Sequence, residues 1–293
     1  MPPTDEVESE RRALLGLCYR MLGTVADAED AVQETYVRWL RLSDAERAAI
    51  RSPGAWLARV AGRVCLDMLG SARARRERYV GEWLPEPVPD DSPLAASVSV
   101  DPIDSVTLDD SVSMALLVLL ESLTPAERVA FVLHDVFGVP FAEVAETVGR
   151  SPDAVRQLAS QARRRVREHR AGAASREQHD AVARAFAAAT STGDLEALVS
   201  VLDPDVVLRS DGGGRVSAAL RPVRGADRVA RFLLGLPRLE PEAVVGPIGT
   251  PDGLGFLATL DDEPSALVSL RVRDGRIADV YIMRNPDKLT QWR

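Results

Sequence analysis

Six side chains between residues 156 and 167 have the chemistry of nucleic-acid readers. Arg156 offers forked donors suited to guanine, and Gln157 offers an amide suited to adenine. Ser160, Arg163, Arg164 and Arg167 follow at helical spacing, and Arg165 adds to the charge. Guanidinium groups this dense neutralise phosphates. A second cluster, Arg73, Arg75, Arg76 and Arg78, ends an apolar helical pattern. Complementing a helix macrodipole needs fewer charges, so this cluster also reads as phosphate-facing.

Catalytic chemistry is thinner. Asp205 and Asp211, near the glycine-rich turn DGGG at 211–214, are the candidates for a general base, and neither has an acid partner at evident spacing. DGGG reads better as a tight turn or a close backbone approach. His134, His169 and His179 show no metal-ligand spacing. Cys18 and Cys65 each sit in a helical apolar pattern and read as buried, reduced thiols. No enzyme activity, metal or cofactor is expected.

The elements that would position these residues follow from periodicity. DAEDAVQETYVRWL (27–40) is an amphipathic helix with Thr24 as its cap. Ala28, Ala31, Val32, Thr35, Tyr36, Trp39 and Leu40 form its apolar set, and Asp30, Gln33, Glu34, Arg38 and Arg41 its polar face. A second helix starts after SPG and carries Arg63 before the Arg73–Arg78 cluster. At 123–138, Thr124, Pro125 and Glu127 are N-cap, first-turn proline and capping-box acid. Gly149 ends a short helix, and Ser151-Pro152-Asp153 starts the next, roughly 152–168. A short helix, a glycine turn and a longer basic helix describe either a helix-turn-helix or a plain hairpin with a basic face. From 176 the pattern becomes two helices broken at Gly193-Asp194, a strand at DVVLRSD, a helix over 225–235, and strands near 243–248, 254–260, 265–273 and 276–283. Asp274-Gly275 is the hairpin turn between the last two. The expected architecture is multidomain: two all-α units followed by an α+β domain.

Charge divides the chain the same way. The net charge is -8, which for a DNA binder points the wrong way. The surplus lies in residues 81–111, which hold eight acids and no base, whereas 1–80 and 112–175 are each slightly positive. That segment runs from GEWLPEPVPDDSP through Asp101, Asp104, Asp109 and Asp110 and reads as a proline-rich linker. Its acids would shield the basic helices from non-specific DNA. No apolar run is long enough to span a membrane, and MPPTDEVESERR lacks the order of a signal peptide, so a cytoplasmic protein is expected.

These residues together resemble bacterial RNA polymerase sigma factors of the extracytoplasmic-function (ECF) type. DAEDAVQETYVRWL is similar to the sigma-2 helix that binds the polymerase, and AWLARVAGRVCLDML to the helix that leads into -10 recognition. LTPAERVAFVLHDVFGVPFAEVAETVGRSPDAVRQLASQARRRV resembles sigma-4, the reader of the -35 element. Arg63 stands where the family often has Asn, so -10 base capture is not carried over there. WLPEP (83–87), DGGGR (211–215) and NPDKL (285–289) resemble the sigma J type, which carries a fused SnoaL-like (NTF2-like) cone.

The resemblance implies domains at 8–80 (sigma-2), 81–111 (linker), 112–172 (sigma-4) and 176–293 (SnoaL-like). Asp30, Gln33, Glu34 and Arg38 would bind core RNA polymerase at the beta-prime clamp helices, and sigma-4 the beta flap. Arg63, Arg73, Arg75, Arg76 and Arg78 would serve the -10 region. Arg156, Gln157, Ser160, Arg163, Arg164 and Arg167 would serve the -35 element. The linker would thread the RNA-exit path. For regulation, Trp83, Leu84, Pro85, Glu86 and Pro87 would dock on Asp211, Gly212, Gly213, Gly214 and Arg215 and on Asn285, Pro286, Asp287, Lys288 and Leu289. The cone would also offer a place for a small-molecule ligand. The competing reading is a one-component helix-turn-helix regulator whose NTF2-like domain senses a small molecule.

Overall fold

The computed structural model describes residues 10–76, 79–94 and 112–293, without the side chains of 72–76. The side chains of Arg73, Arg75 and Arg76, and residues Arg78, Asp101, Asp104, Asp109 and Asp110, therefore lie outside the described residues. The described chain divides into two compact units.

The first unit holds residues up to 76, 91–94, 112 and 116–169. Its helices are α1 (Arg11–Leu22), α2 (Val25–Leu40), α3 (Asp44–Ala49), α4 (Pro53–Arg76), α5 (Met114–Glu121), α6 (Pro125–Phe131), α7 (Phe141–Val148) and α8 (Pro152–Arg170), with residues 114–115 of α5 and 170 of α8 counted in the second unit. Thr24 caps α2 through the Asp27 amide, and Thr124 with Glu127 completes a capping box at α6. Gly149 closes α7 at φ 70°, a left-handed position that costs glycine nothing. Between α6 and α7, Val132–Val136 widens into a π turn, which the apolar pattern does not announce.

The two helical segments on either side of the acidic stretch pack as one body. Leu17, Cys18, Leu57, Ala61 and Cys65 are fully buried, and so are Val132 and Leu133 of the π turn. Gly62 is the close-approach point, since a Cβ there would stand 2.8 Å from Leu133 Cδ1. Both cysteines are free thiols, and burial together with a hydrogen bond to Cys18 pushes the Cys65 thiol up. Arg128 is buried. Its Nη1 donates to the Met21 carbonyl at 2.7 Å and pairs with Glu121 at 2.6 Å, tying α6 to α1 and α5. Burial lowers its guanidinium to about 10.

The second unit holds residues 79–90, 113–115 and 170–293. Helices α9 (Arg176–Thr192) and α10 (Leu195–Val201) lead into β1 (Leu202–Asp211), β2 (Val223–Arg224), α11 (Ala226–Gly235), β3 (Val244–Thr250), β4 (Gly253–Leu260), β5 (Glu263–Arg273) and β6 (Arg276–Met283). One six-stranded sheet runs β2-β1-β6-β5-β4-β3, with β1 parallel to β6 and every other pair antiparallel. Register shifts in the β1–β6, β4–β5 and β5–β6 pairs bend it, as bulges do. Its inner face (Val206, Leu208, Phe256, Leu270, Val280, Ile282) buries against Phe186, Leu198, Val229 and Leu233 of the helices. Two helices ahead of one curved, mainly antiparallel sheet make this the α+β domain expected from the order of elements. The hairpin turn at Asp274-Gly275 has φ 51° and 74°, as its sequence dictates. Asp261-Asp262 makes a second such turn, at φ 52° and 63°, without any glycine. Asp252 accepts from the Met114 amide at 2.8 Å, which places 113–115 in this unit.

Truncating Arg128 tests the packing of the first unit. Arg128→Ala removes the buried guanidinium that bonds the Met21 carbonyl and pairs with Glu121, and is expected to lower stability by about 3 kcal/mol. Urea unfolding of the full chain measures this, and a loss below about 1 kcal/mol would assign Arg128 no such role.

Candidate functional site

Three regions carry the candidate residues. The first is the outer face of α2. Asp30 and Gln33 are exposed, while Glu34 and Arg38 are half-buried and paired at 2.9 Å. The same face includes Val37 and Leu40, which are 39% and 63% exposed. Leu40 therefore leaves the buried set to which its spacing had assigned it. Residue 40 is the last of the helix, and the buried side of that turn is taken by Trp39, 4% exposed and edge-on to Trp56. Exposed apolar groups among carboxylates suit a protein-binding face better than a solvated one.

The second region is basic. Arg63 is exposed on α4, and its Nη1 donates to the Thr147 carbonyl of α7 at 3.0 Å. Arg59, one turn earlier, pairs with Glu143 at 3.3 Å. On α8 the inner face is Val155, Ala159, Ala162 and Val166, all buried, and Leu158 is half-buried. Arg156, Gln157, Ser160, Arg163, Arg164 and Arg167 are all exposed. Three of them are anchored lightly. Arg156 pairs with Asp153, Arg163 with Asp135 at 2.9 Å and Arg164 with Glu168 at 3.9 Å. Arg165 differs from these in being half-buried. It turns to Glu127, 3.5 Å away and almost fully buried, and so docks α8 on α6.

The third region lies within the C-terminal unit. The segment 79–90 is built into it, with Leu84, Pro85, Glu86, Pro87 and Val88 buried. Its Pro-rich composition reads as a solvated linker, but the apolar residues between the prolines are what the fold uses. Asp211, at the end of β1, is fully buried. Its Oδ1 accepts from Tyr79 Oη at 2.6 Å and from the Gly213 amide at 2.9 Å. Its Oδ2 accepts from the Leu84 amide at 2.9 Å and Lys288 Nζ at 2.8 Å. Lys288 Nζ also donates to the Leu84 carbonyl at 2.6 Å and lies 4.2 Å from the Trp83 ring centroid. Asn285 Nδ2 donates to Tyr79 Oη at 2.9 Å, and Trp292 Nε1 to the Pro87 carbonyl at 3.0 Å. Burial, reinforced by the bond to Asp211, drives the Tyr79 hydroxyl well above its ordinary value.

The glycines of 212–214 are steric requirements. Gly213 has φ 65°, and a Cβ on it would meet Asn285 Cγ at 2.5 Å. Arg215 and Asp287 form an exposed pair at 3.0 Å on the rim, of small energetic weight. The structure thus brings together the three strings WLPEP, DGGGR and NPDKL. It adds Tyr79 and Trp292, which no spacing rule selects, although an isolated aromatic beside a proline-rich run is the available signal. Asp205 is exposed and takes no part.

Comparison with known proteins agrees with these regions. Residues 7–75 match the Sigma-70 region 2 family, and residues 113–166 match Sigma-70, region 4. The chain is 40% identical to the ECF RNA polymerase sigma factor SigJ of Mycobacterium tuberculosis (strain ATCC 25618 / H37Rv), over 97% of its own length and 92% of that protein's. It is 39% identical to the probable ECF RNA polymerase sigma factor SigI of the same strain, covering 96% and 92%. The crystal structure of the M. tuberculosis extracytoplasmic function sigma factor SigJ superposes with a TM-score of 0.73 at 38% identity, covering 98% of each chain. With helical regions 2 and 4 both matched in order and a like protein aligned nearly end to end, the chain belongs to the ECF RNA polymerase sigma factors.

Proposed function

We propose that the chain binds core RNA polymerase through α2, directs it to promoters through α4 and α8, and is regulated by the docked segment 79–90. Sigma factors bind core polymerase and promoter DNA and catalyse nothing themselves. The observation that carries the assignment of roles is the α8 surface, where all six candidate readers are exposed on the helix side opposite its buried residues. Asp30, Gln33, Glu34, Val37 and Leu40 give α2 a face for the polymerase clamp. Arg63 and the Arg73–Arg78 cluster serve the -10 region. Capturing unstacked bases there costs a few kcal/mol per step, which contacts to the opened strand offset.

A non-enzymatic C-terminal unit is the favoured reading. Asp211, the best candidate base, already accepts four hydrogen bonds, so it has no lone pair left for a substrate proton. The cytoplasm follows as the place of action, since that is where the polymerase works. A one-component regulator would have no use for a polymerase-binding helix.

The experiment is run-off transcription by core polymerase on a promoter that the protein itself selects from a library randomised at -35 and -10. Arg156→Ala or Gln157→Ala is expected to cut the transcript about tenfold and to relax the -35 preference, as loss of one base contact worth ~1–3 kcal/mol does. Arg164→Ala and Arg167→Ala should each lower the salt slope of DNA binding by about one. Specific DNA binding without any added transcript would sink the sigma reading.

Regulation has its own measurement. Tyr79→Phe deletes one of the four donors to Asp211 and leaves the ring in place. The Leu84 amide is expected to exchange with solvent about fivefold faster, the equivalent of ~1 kcal/mol, and transcript yield should shift with it. Faster exchange with unchanged transcription would make the contact purely structural.

A further inference from the structure

The cone of the C-terminal unit is hollow. The sheet, α9 and α11 enclose a cavity of about 710 Å³. Its walls are Phe186, Leu233, Phe256, Ala258, Val268 and Ile282, all apolar. Protein interiors pack as densely as organic crystals, so a volume of this size is not a packing residue. Open apolar pockets of roughly 300–1,000 Å³ with a few polar groups are the form that small-molecule sites take. Leu239 and Val245 stand at the mouth and are 64% and 63% exposed, an apolar collar left facing water.

Three charged side chains join the lining: Arg184, Glu240 and Arg284, the last of them buried. Arg284 donates to the Ser217 carbonyl at 2.7 Å and pairs with Glu240. Arg184 is exposed on α9 at the same opening. Two guanidinium groups and one carboxylate leave an excess of one positive charge. The apolar walls carry no carboxylate and no histidine, so the site is suited to holding a molecule rather than to moving a proton.

We propose that this cavity binds a largely apolar small molecule bearing one acidic group, with the apolar body between Phe186, Leu233, Phe256 and Val268 and the acid at Arg184 and Arg284. The proposal does not depend on the promoter-directing role or on the docking of segment 79–90.

The probe is 1-anilinonaphthalene-8-sulfonate, whose fused rings and single sulfonate have this chemistry, titrated into the full chain and followed by fluorescence. Decanoate and decanol then compete with it. Saturable one-site binding is expected, with decanoate displacing the probe about tenfold better than decanol. Arg184→Met should shrink that preference. Glu240→Gln should raise decanoate affinity about threefold by releasing Arg284. Ala258→Phe fills the interior and should abolish binding. Val245→Trp, on an exposed strand position that leaves the core untouched, should block the mouth and weaken binding. Probe binding unchanged in both blocked variants, with circular dichroism like that of the parent, would overturn the site. Equal displacement by decanoate and decanol would overturn the acidic ligand.

Discussion

The C-terminal unit depends on one buried charge pair, Asp211 with Lys288. Neither group is solvated to any useful extent, at 0% and 6% exposure. Bringing two ions out of water costs several kcal/mol each, and their attraction offsets this only if the remaining lone pairs and protons are satisfied. Here they are. Asp211 receives four donors, and the ammonium reaches a carbonyl and an indole face besides the carboxylate. The donors come from three stretches of chain that are remote in sequence: 79–84, 213 and 288. Withdrawing segment 79–90 would leave Asp211 with Lys288 and Gly213 alone. Its loss would leave a buried carboxylate short of two donors, which is costly. Such a pair adds little net stability over an apolar substitute, and its value lies in admitting one partner geometry.

The first unit poses the complementary problem. Arg63 spends a donor on the Thr147 carbonyl, and Arg59 spends its charge on Glu143. Both contacts are at most half-buried and are worth ~1 kcal/mol or less. Parting α4 from the π turn is harder. Gly62 sits against Leu133, and the surrounding residues are closed to water, so separation exposes apolar area at ~25 cal/mol per Å². Any rearrangement of the helices on promoter DNA is thus limited by apolar packing rather than by ion pairs.

Much of this was legible beforehand. The caps at Thr24 and Thr124, the glycine stop at 149, the Asp274-Gly275 hairpin and the buried stripe of α8 are local rules, and they hold because each is decided within a few residues. What was not legible was decided at long range. Arg128 and Arg165 look like surface charge in any periodic reading. Their partners, Glu121 and Glu127, come from other helices, so no spacing within α6 or α8 reveals them. Leu40 fits an apolar period but is left on the exposed side of a turn whose buried side Trp39 takes. The segment 81–90 has the composition of a linker, yet Leu84 and Val88 at their particular sites outweigh the prolines and acids around them.

That last point changes the meaning of the acidic stretch. Eight acids between 81 and 111 looked like one electrostatic shield for the basic helices. Glu86 is buried, and Asp90 pairs with Arg176 at 2.8 Å. A carboxylate held in a folded contact has its field largely compensated locally, so it contributes little at a Debye length of ~8 Å. The stretch is thus not one electrostatic element, because its first ten residues belong to a folded contact centred on Asp211 and Lys288. That contact is buried, so salt screens it far less than it screens exposed charge.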